Sequence, residues 1–314
     1  MKHEAKLAMV VFIWGVNYLV IPYGVGAMGS GPFTLMRFAI TLPILFMLMA
    51  WRRDFRIDRG DWGRIALIGI AGTTGYQAAF AAAVDLTTTT NAAILFSLSP
   101  IFSVILNYMT GREKPTVVNW LGLAIAFIGG AVMVLSDGQG ISVESKHVTG
   151  DALMLLAAIL WAVTAFLSED CLKKYGGLKT TAWSLPSGVA GLIVFSGSAY
   201  ARLDLAGVPA SAWWSLTFAI LGATVIGVVM FYDALPHLGT RQVMSSMYLI
   251  PAIAIVSSCV LTRSWLTGAE LAGIALALFG VTLAKRKTGD TLPMSGAPEP
   301  VEVLGSSSRG QRNV

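Results

Sequence analysis

Charge is what this chain has least of. Only 12% of its 314 residues are Asp, Glu, Lys or Arg, against 55% hydrophobic residues and a mean hydropathy of +0.70. That balance excludes an ordinary soluble protein, so most side chains here are solvated by lipid. Cysteine is almost missing as well: Cys171 and Cys259 form neither a metal-ligand spacing nor a disulfide framework. The three histidines, His3, His147 and His237, all lie away from the middle of an apolar span, which removes the Ser–His pair an intramembrane hydrolase needs. No Asp, Glu or Lys falls near a span midpoint either, because Asp85, Glu169, Asp170, Asp233 and Glu270 sit towards span ends. A proton relay or a cation site inside a membrane usually needs such a group. Ion coupling therefore has no obvious residue, and a solute of little net charge is expected. Gly176-Gly177-Leu178-Lys179-Thr180 has the Lys-Thr of a phosphate loop without its glycine spacing, so no ATP motor is encoded. The sequence calls for no enzyme activity, no cofactor and no metal.

What is present in quantity is apolar helix. About 20 apolar residues cross a hydrocarbon core, and ten such spans can be drawn, at roughly 5–26, 32–50, 63–84, 88–109, 117–135, 151–169, 181–199, 213–235, 241–261 and 268–284. The first runs past 18 residues with no small-x-small cleavage site and reads as an uncleaved helix, not a signal peptide. The net charge of +5 is spread in short clusters between spans, which suits orientation in a bilayer better than nucleic acid. With the N-terminus in the cytoplasm, sixteen Lys and Arg fall on inner segments, and only Lys146, Arg202 and Arg263 fall on outer loops. This bias predicts cytoplasmic termini. Residues 288–314, rich in Gly, Ser, Pro and Glu, are expected to form a disordered cytoplasmic tail.

The chain also repeats itself. Shifted by 151 positions, Leu98, Pro100, Arg112, Thr116, Gly122, Ala124, Ala126 and Gly129 fall on Leu249, Pro251, Arg263, Thr267, Gly273, Ala275, Ala277 and Gly280. Composition alone would give about three such identities over that stretch. Trp14-Gly15-Val16-Asn17 matches Trp161-Ala162-Val163-Thr164 at a shift of 147. Two units follow, 5–135 and 151–287, with five helices each. Five is odd, so the second copy must be inserted upside down: the predicted fold is an all-α integral membrane protein of two inverted five-helix repeats.

Candidate solute contacts come from helix faces near mid-depth. Tyr76, Gln77 and Phe80 share a face of the third span, Trp14 and Asn17 a face of the first, and Trp161 and Thr164 a face of the sixth. Met247 and Tyr248 precede Pro251 in the ninth. Aromatic walls with a few fixed polar groups are the usual make-up of a small-molecule site. Pro22, Pro100 and Pro251 are expected to break their helices and free the carbonyls of Tyr18, Phe96 and Met247. Arg37, early in the second span, is expected to snorkel outward or meet a structural partner, with a solute carboxylate as the other option. Small-xxx-small stripes, Gly122/Ala126/Gly130 and Gly273/Ala277, favour close packing within the chain first and a homodimer second.

Ten helices in two halves, Trp14-Gly15 with Asn17, the Pro32 to Arg37-Phe38 stretch, the Pro100 and Pro251 helices and the glycine-marked fifth and tenth spans resemble the EamA family of the drug/metabolite transporter superfamily. Within it, the chain is most similar to aromatic amino-acid exporters. The resemblance implies a bacterial inner-membrane carrier with a central cavity that faces each side in turn. It also implies a small-molecule substrate, an amino acid or related metabolite, in a protein partnered by the lipid bilayer. A drug or nucleotide-sugar carrier of the same fold is the alternative, and a non-transporting scaffold is a more distant one.

Overall fold

The computed structural model describes residues 3–136, 141, 147–263 and 265–286. The expected tail at 288–314 and most of the polar stretch between the repeats lie outside the described residues. Those described form helices, with no strand among them.

Helix α1 is His3–Met28 and α2 is Ser30–Arg52. Helix α3 runs from Trp62–Gly69 through a π-helical segment, Ile70–Gly75, into Tyr76–Leu86. Helix α4 is two pieces, Thr89–Phe96 and Ser99–Met109, and α5 is Val117–Leu135. A single helical run of 54 residues, Val148–Ala201, comes next. Straight, it would be about 80 Å long, far more than a bilayer of about 30 Å. It is instead broken at Gly176 (φ 74°, ψ 171°) into α6 before and α7 after. Helix α8 repeats the construction of α3: Ala210–Phe218, a π segment Ala219–Val228, then Val229–Leu238. Helix α9 joins Thr240–Ser245 to Ile250–Thr262 through a 3-10 turn, Ser246–Leu249, and α10 is Gly268–Ala284. Counted this way, the described residues make ten helical rods.

The two halves match in their irregularities, which composition alone does not explain. Gly29 joins α1 to α2 at φ 82°, and Gly176, 147 positions on, joins α6 to α7 at φ 74°. The spans drawn at 151–169 and 181–199 leave a connection between them that carries Lys173, Lys174 and Lys179. The structure has no loop there: one residue with no Cβ turns the chain, and the three lysines ride on helix ends. Thr116 with Asn119 and Thr267 with Glu270, 151 positions apart, each form a reciprocal N-terminal cap. The π segments of α3 and α8 correspond too, but the second holds ten residues and the first six. That difference of four equals the change in repeat offset from 147 to 151.

Gly176 gives a clean backbone test, because nothing lies within 4 Å of where its Cβ would stand. Gly176→Ala is therefore expected to cost about 1–3 kcal/mol through conformation alone. Thermal unfolding of the purified variant should start several degrees lower, and an unchanged melt would show that the turn can relax.

Helices α5 and α10 meet backbone to backbone along a long seam. A Cβ on Gly122 would stand 2.3 Å from the Ala284 nitrogen, one on Gly129 2.4 Å from that of Ala277, and one on Gly280 2.2 Å from that of Ala126. As residue numbers rise on one helix they fall on the other, so the pair is antiparallel. Each contact has its repeat mate: Gly122 touches Gly280, and their counterparts Gly273 and Gly129 touch each other. Repeat-equivalent helices that pack antiparallel about a local two-fold axis make the two halves point in opposite directions, as an inverted repeat requires. These stripes are used up inside the chain, so a homodimer would need another face.

Pro100 and Pro251 lie at helix breaks as expected, and Pro22 does not. Pro22 lies inside an unbroken α1 on an exposed face, so it neither breaks that helix nor faces the interior. One missing N–H in a long helix leaves the remaining ladder intact, and the tilt is absorbed locally. Pro100 and Pro251 each begin the second piece of a divided helix, where the first turn needs no N–H. The Met247 carbonyl is not left free, since it accepts the Ile250 N–H in the 3-10 turn.

The charged residues expected on the inner side gather at the end of the bundle where α1 starts. Lys6 bonds Asp233, Arg64 and Arg112 share Asp170 at 2.8 and 3.1 Å, and Arg112 also reaches Glu169 at 3.3 Å. Lys174 pairs with Asp58 and Asp61, and Lys179 with Asp54. Arg64–Asp170 and Lys174–Asp58 have both partners exposed and contribute little individually, while the other pairs include at least one half-buried side chain.

Candidate solute-binding site

The interior between the halves is aromatic. Trp14 on α1 meets its own repeat mate, Trp161 on α6, edge-on at 5.9 Å between ring centroids. Phe231 on α8 lies against both, at 5.3 and 5.5 Å. Tyr76 on α3 continues the chain of rings at 5.1 Å from Trp161 and stacks on Phe96 of α4 at 5.7 Å. Phe80 closes it, edge-on to Tyr76 and Phe96. Five helices thus contribute to one continuous ring cluster, with Leu7, Val10, Val243 and Met244 packed at its side towards the start of α1.

The π segments explain why these rings can meet. A π turn inserts a residue and leaves a carbonyl without its usual helical partner. In α8 the Ala223 carbonyl is taken by the Trp14 indole N–H at 3.0 Å. The next residue, Thr224, donates its hydroxyl to the Ala219 carbonyl at 2.8 Å and accepts the Arg37 Nε–H at 2.6 Å. In α3 the matching segment packs on α6 and α7, with Gly72 against Thr164, Thr73 against Gly188, and the Thr74 hydroxyl on the Gly188 carbonyl at 2.9 Å.

Of the residues proposed from sequence, Trp14, Tyr76, Phe80 and Trp161 stand together in the cluster, and Met247 packs against its edge. Asn17 lies one turn beyond Trp14, and its Oδ1 is buried with no hydrogen-bond partner. The Trp161 Nε1 is likewise buried and unpartnered. Gln77 is half-buried on α3. Two residues belong elsewhere. Tyr248 is buried against Val104, Leu123, Ala126 and Val281, on the side of the α5–α10 seam, because the 3-10 turn rotates it away from the cluster. Thr164 turns its hydroxyl to the Leu160 carbonyl at 2.7 Å and its methyl towards Gly72, so it packs helices together. Arg37 does not snorkel: its side chain points inward to the middle of α8.

Phe231 and Phe96 were not foreseen as ring partners. Phe231 lies 151 positions after Phe80, so the repeat carried the signal although an apolar span hid it. Phe96 drew attention only for its carbonyl.

Apolar helices in two inverted halves around an interior aromatic site define a multi-pass membrane protein of the transporter kind. A model of the EamA-like transporter family matches residues 4–135 and 148–285, and the chain belongs to that family. It is 26% identical over 283 residues to a probable terminal-alkyne amino-acid exporter of Streptantibioticus cattleyicolor, covering 90% of this chain and 93% of that one. It is also 26% identical over 293 residues to a probable amino-acid metabolite efflux pump of Escherichia coli, covering 89% and 93%. A crystal structure superposes with a TM-score of 0.75 at 17% identity, over 90% of this chain and 96% of the other, which is a likeness of fold.

Proposed function

We propose that this transporter exports small zwitterionic metabolites, foremost amino acids with apolar or aromatic side chains, across a bacterial inner membrane by alternating access. The observation that carries the reading is the ring cluster with two buried orphans beside it, an acceptor on Asn17 and a donor on Trp161. A buried polar atom without a partner costs about 1–3 kcal/mol, and a solute bearing both an ammonium and a carboxylate offers a partner to each. The aromatic faces suit its side chain. The names of the two relatives point the same way. Cytoplasmic termini fit the ion-pair belt around the start of α1. The two broken helices, α4 and α9, give each half a joint at Pro100 and Pro251.

Uptake of labelled amino acids into proteoliposomes tests this. Saturable flux, competed by other amino acids with apolar side chains, is the expected result. Competition by cationic drugs or nucleotide sugars and none by amino acids would move the substrate to another class of the same fold.

A further inference from the structure

Arg37 presents a cation to the interior of the bundle without an anion to meet it. It lies about 10 Å along α2 from its start, and Thr224 about 21 Å along α8, near the middle of that helix. Thr224, which holds its Nε, is neutral, the guanidinium lies 5.2 Å from the ring of the adjacent Phe38, and the neutral Tyr76 phenol of the ring cluster is also within its electrostatic reach. None of the ion pairs among the described residues includes Arg37. A guanidinium carries five N–H donors in a planar fork. One is used here, leaving the two Nη groups that grip a carboxylate in parallel. A cation held within a membrane bundle is costly unless it is paired, and it marks a functional site by default.

Its address is specific. Thr224 follows Ala223, whose carbonyl holds the Trp14 indole, so consecutive residues of one π segment fix the arginine and the aromatic cluster side by side. The repeat does not copy this arrangement: 147 positions after Arg37 stands Ser184, whose carbonyl packs on Gly69. The cation is therefore found on one side of the local two-fold axis.

We propose that Arg37 is the carboxylate-binding residue of the solute site, with the solute's own carboxylate serving as the counter-ion that the protein does not provide. The side chain of the solute then lies on the Trp14, Trp161 and Phe231 rings. This rests on the amino-acid reading for the remainder of the solute.

Binding of L-phenylalanine, 3-phenylpropionate and L-phenylalaninamide to the purified full-length protein separates the contributions. The wild type should prefer both carboxylates over the amide by about 30-fold or more, the usual scale for losing a buried charge partner. Arg37→Gln can keep the hydrogen bond to Thr224 and should lose that preference, while Arg37→Lys should keep part of it. Equal affinity for acid and amide in the wild type overturns the assignment even if the glutamine variant does not fold. Unimpaired carboxylate binding by a folded Arg37→Gln overturns it too, and leaves amino-acid export standing. Arg37-dependent binding of 3-phenylpropionate by a protein that carries no amino acid supports the carboxylate site and removes the amino-acid reading.

Discussion

Gly280→Val is expected to yield little or no folded protein. The α5–α10 seam brings backbone to backbone, and the atom a Cβ would strike is the Ala126 nitrogen at 2.2 Å, not the end of a side chain that could swing away. Separating the two helices would strip contacts from Gly122 to Ala284 at once, because both stripes interlock along their length. Overpacking a well-filled interior costs about 1–3 kcal/mol where side chains can adjust, and here they cannot. Gel filtration of the detergent-solubilised variant should show aggregate in place of a single peak. Gly26→Ala is the control, since nothing lies within 4 Å of its position and the helix gains propensity. Normal folding of Gly280→Val would mean that the seam is looser than its geometry shows.

Trp161→Ala is expected to abolish transport. The indole touches Trp14, Tyr76 and Phe231, so its removal takes out the ring common to three contacts and leaves a void where the faces converge. Large-to-alanine changes at such sites cost about 3–5 kcal/mol, so the amount of inserted protein must be measured beside the flux. Trp161→Phe keeps an aromatic ring but removes the unpartnered N–H and part of the indole's bulk, and should reduce flux about ten-fold or more, the loss of one hydrogen bond to the solute setting the lower bound. Trp265→Ala, at a residue 95% exposed, should leave flux unchanged. Wild-type transport by Trp161→Ala would remove the cluster from the transport path.

Much of this architecture is written in the sequence as periodicity. Apolar spans, the offset of Pro100 and Pro251, and the spacing of glycines on α5 and α10 are local patterns whose physical meaning holds in any context. Trp14 and Trp161 are legible as candidates from their equivalent places in the two copies, but that they touch depends on how near the local axis each lies. What could not be read is what depends on departures from α-helical geometry. A ring at Tyr248 and one at Phe96 differ by which side of a short 3-10 or broken turn they leave, and no spacing rule reports that. The inward turn of Arg37 depends on Thr224, which lies 187 residues away and is exposed to bonding by a π segment with no sequence signature. Snorkelling is the better expectation for an arginine judged by its own helix alone. A partner on another helix reverses it.

The α5–α10 seam also bears on how the two copies could become different. Its contacts are reciprocal, the pattern two identical surfaces make when they self-associate. Joined in one chain, the surfaces meet at an effective concentration set by the connecting segment, so their pairing no longer depends on how much protein the membrane holds. Freed from the requirement that every residue suit both positions, one copy could keep a serine where the other places an arginine, and one could lengthen its π segment by four residues while the other did not. A solute with unlike ends can then be held in one orientation.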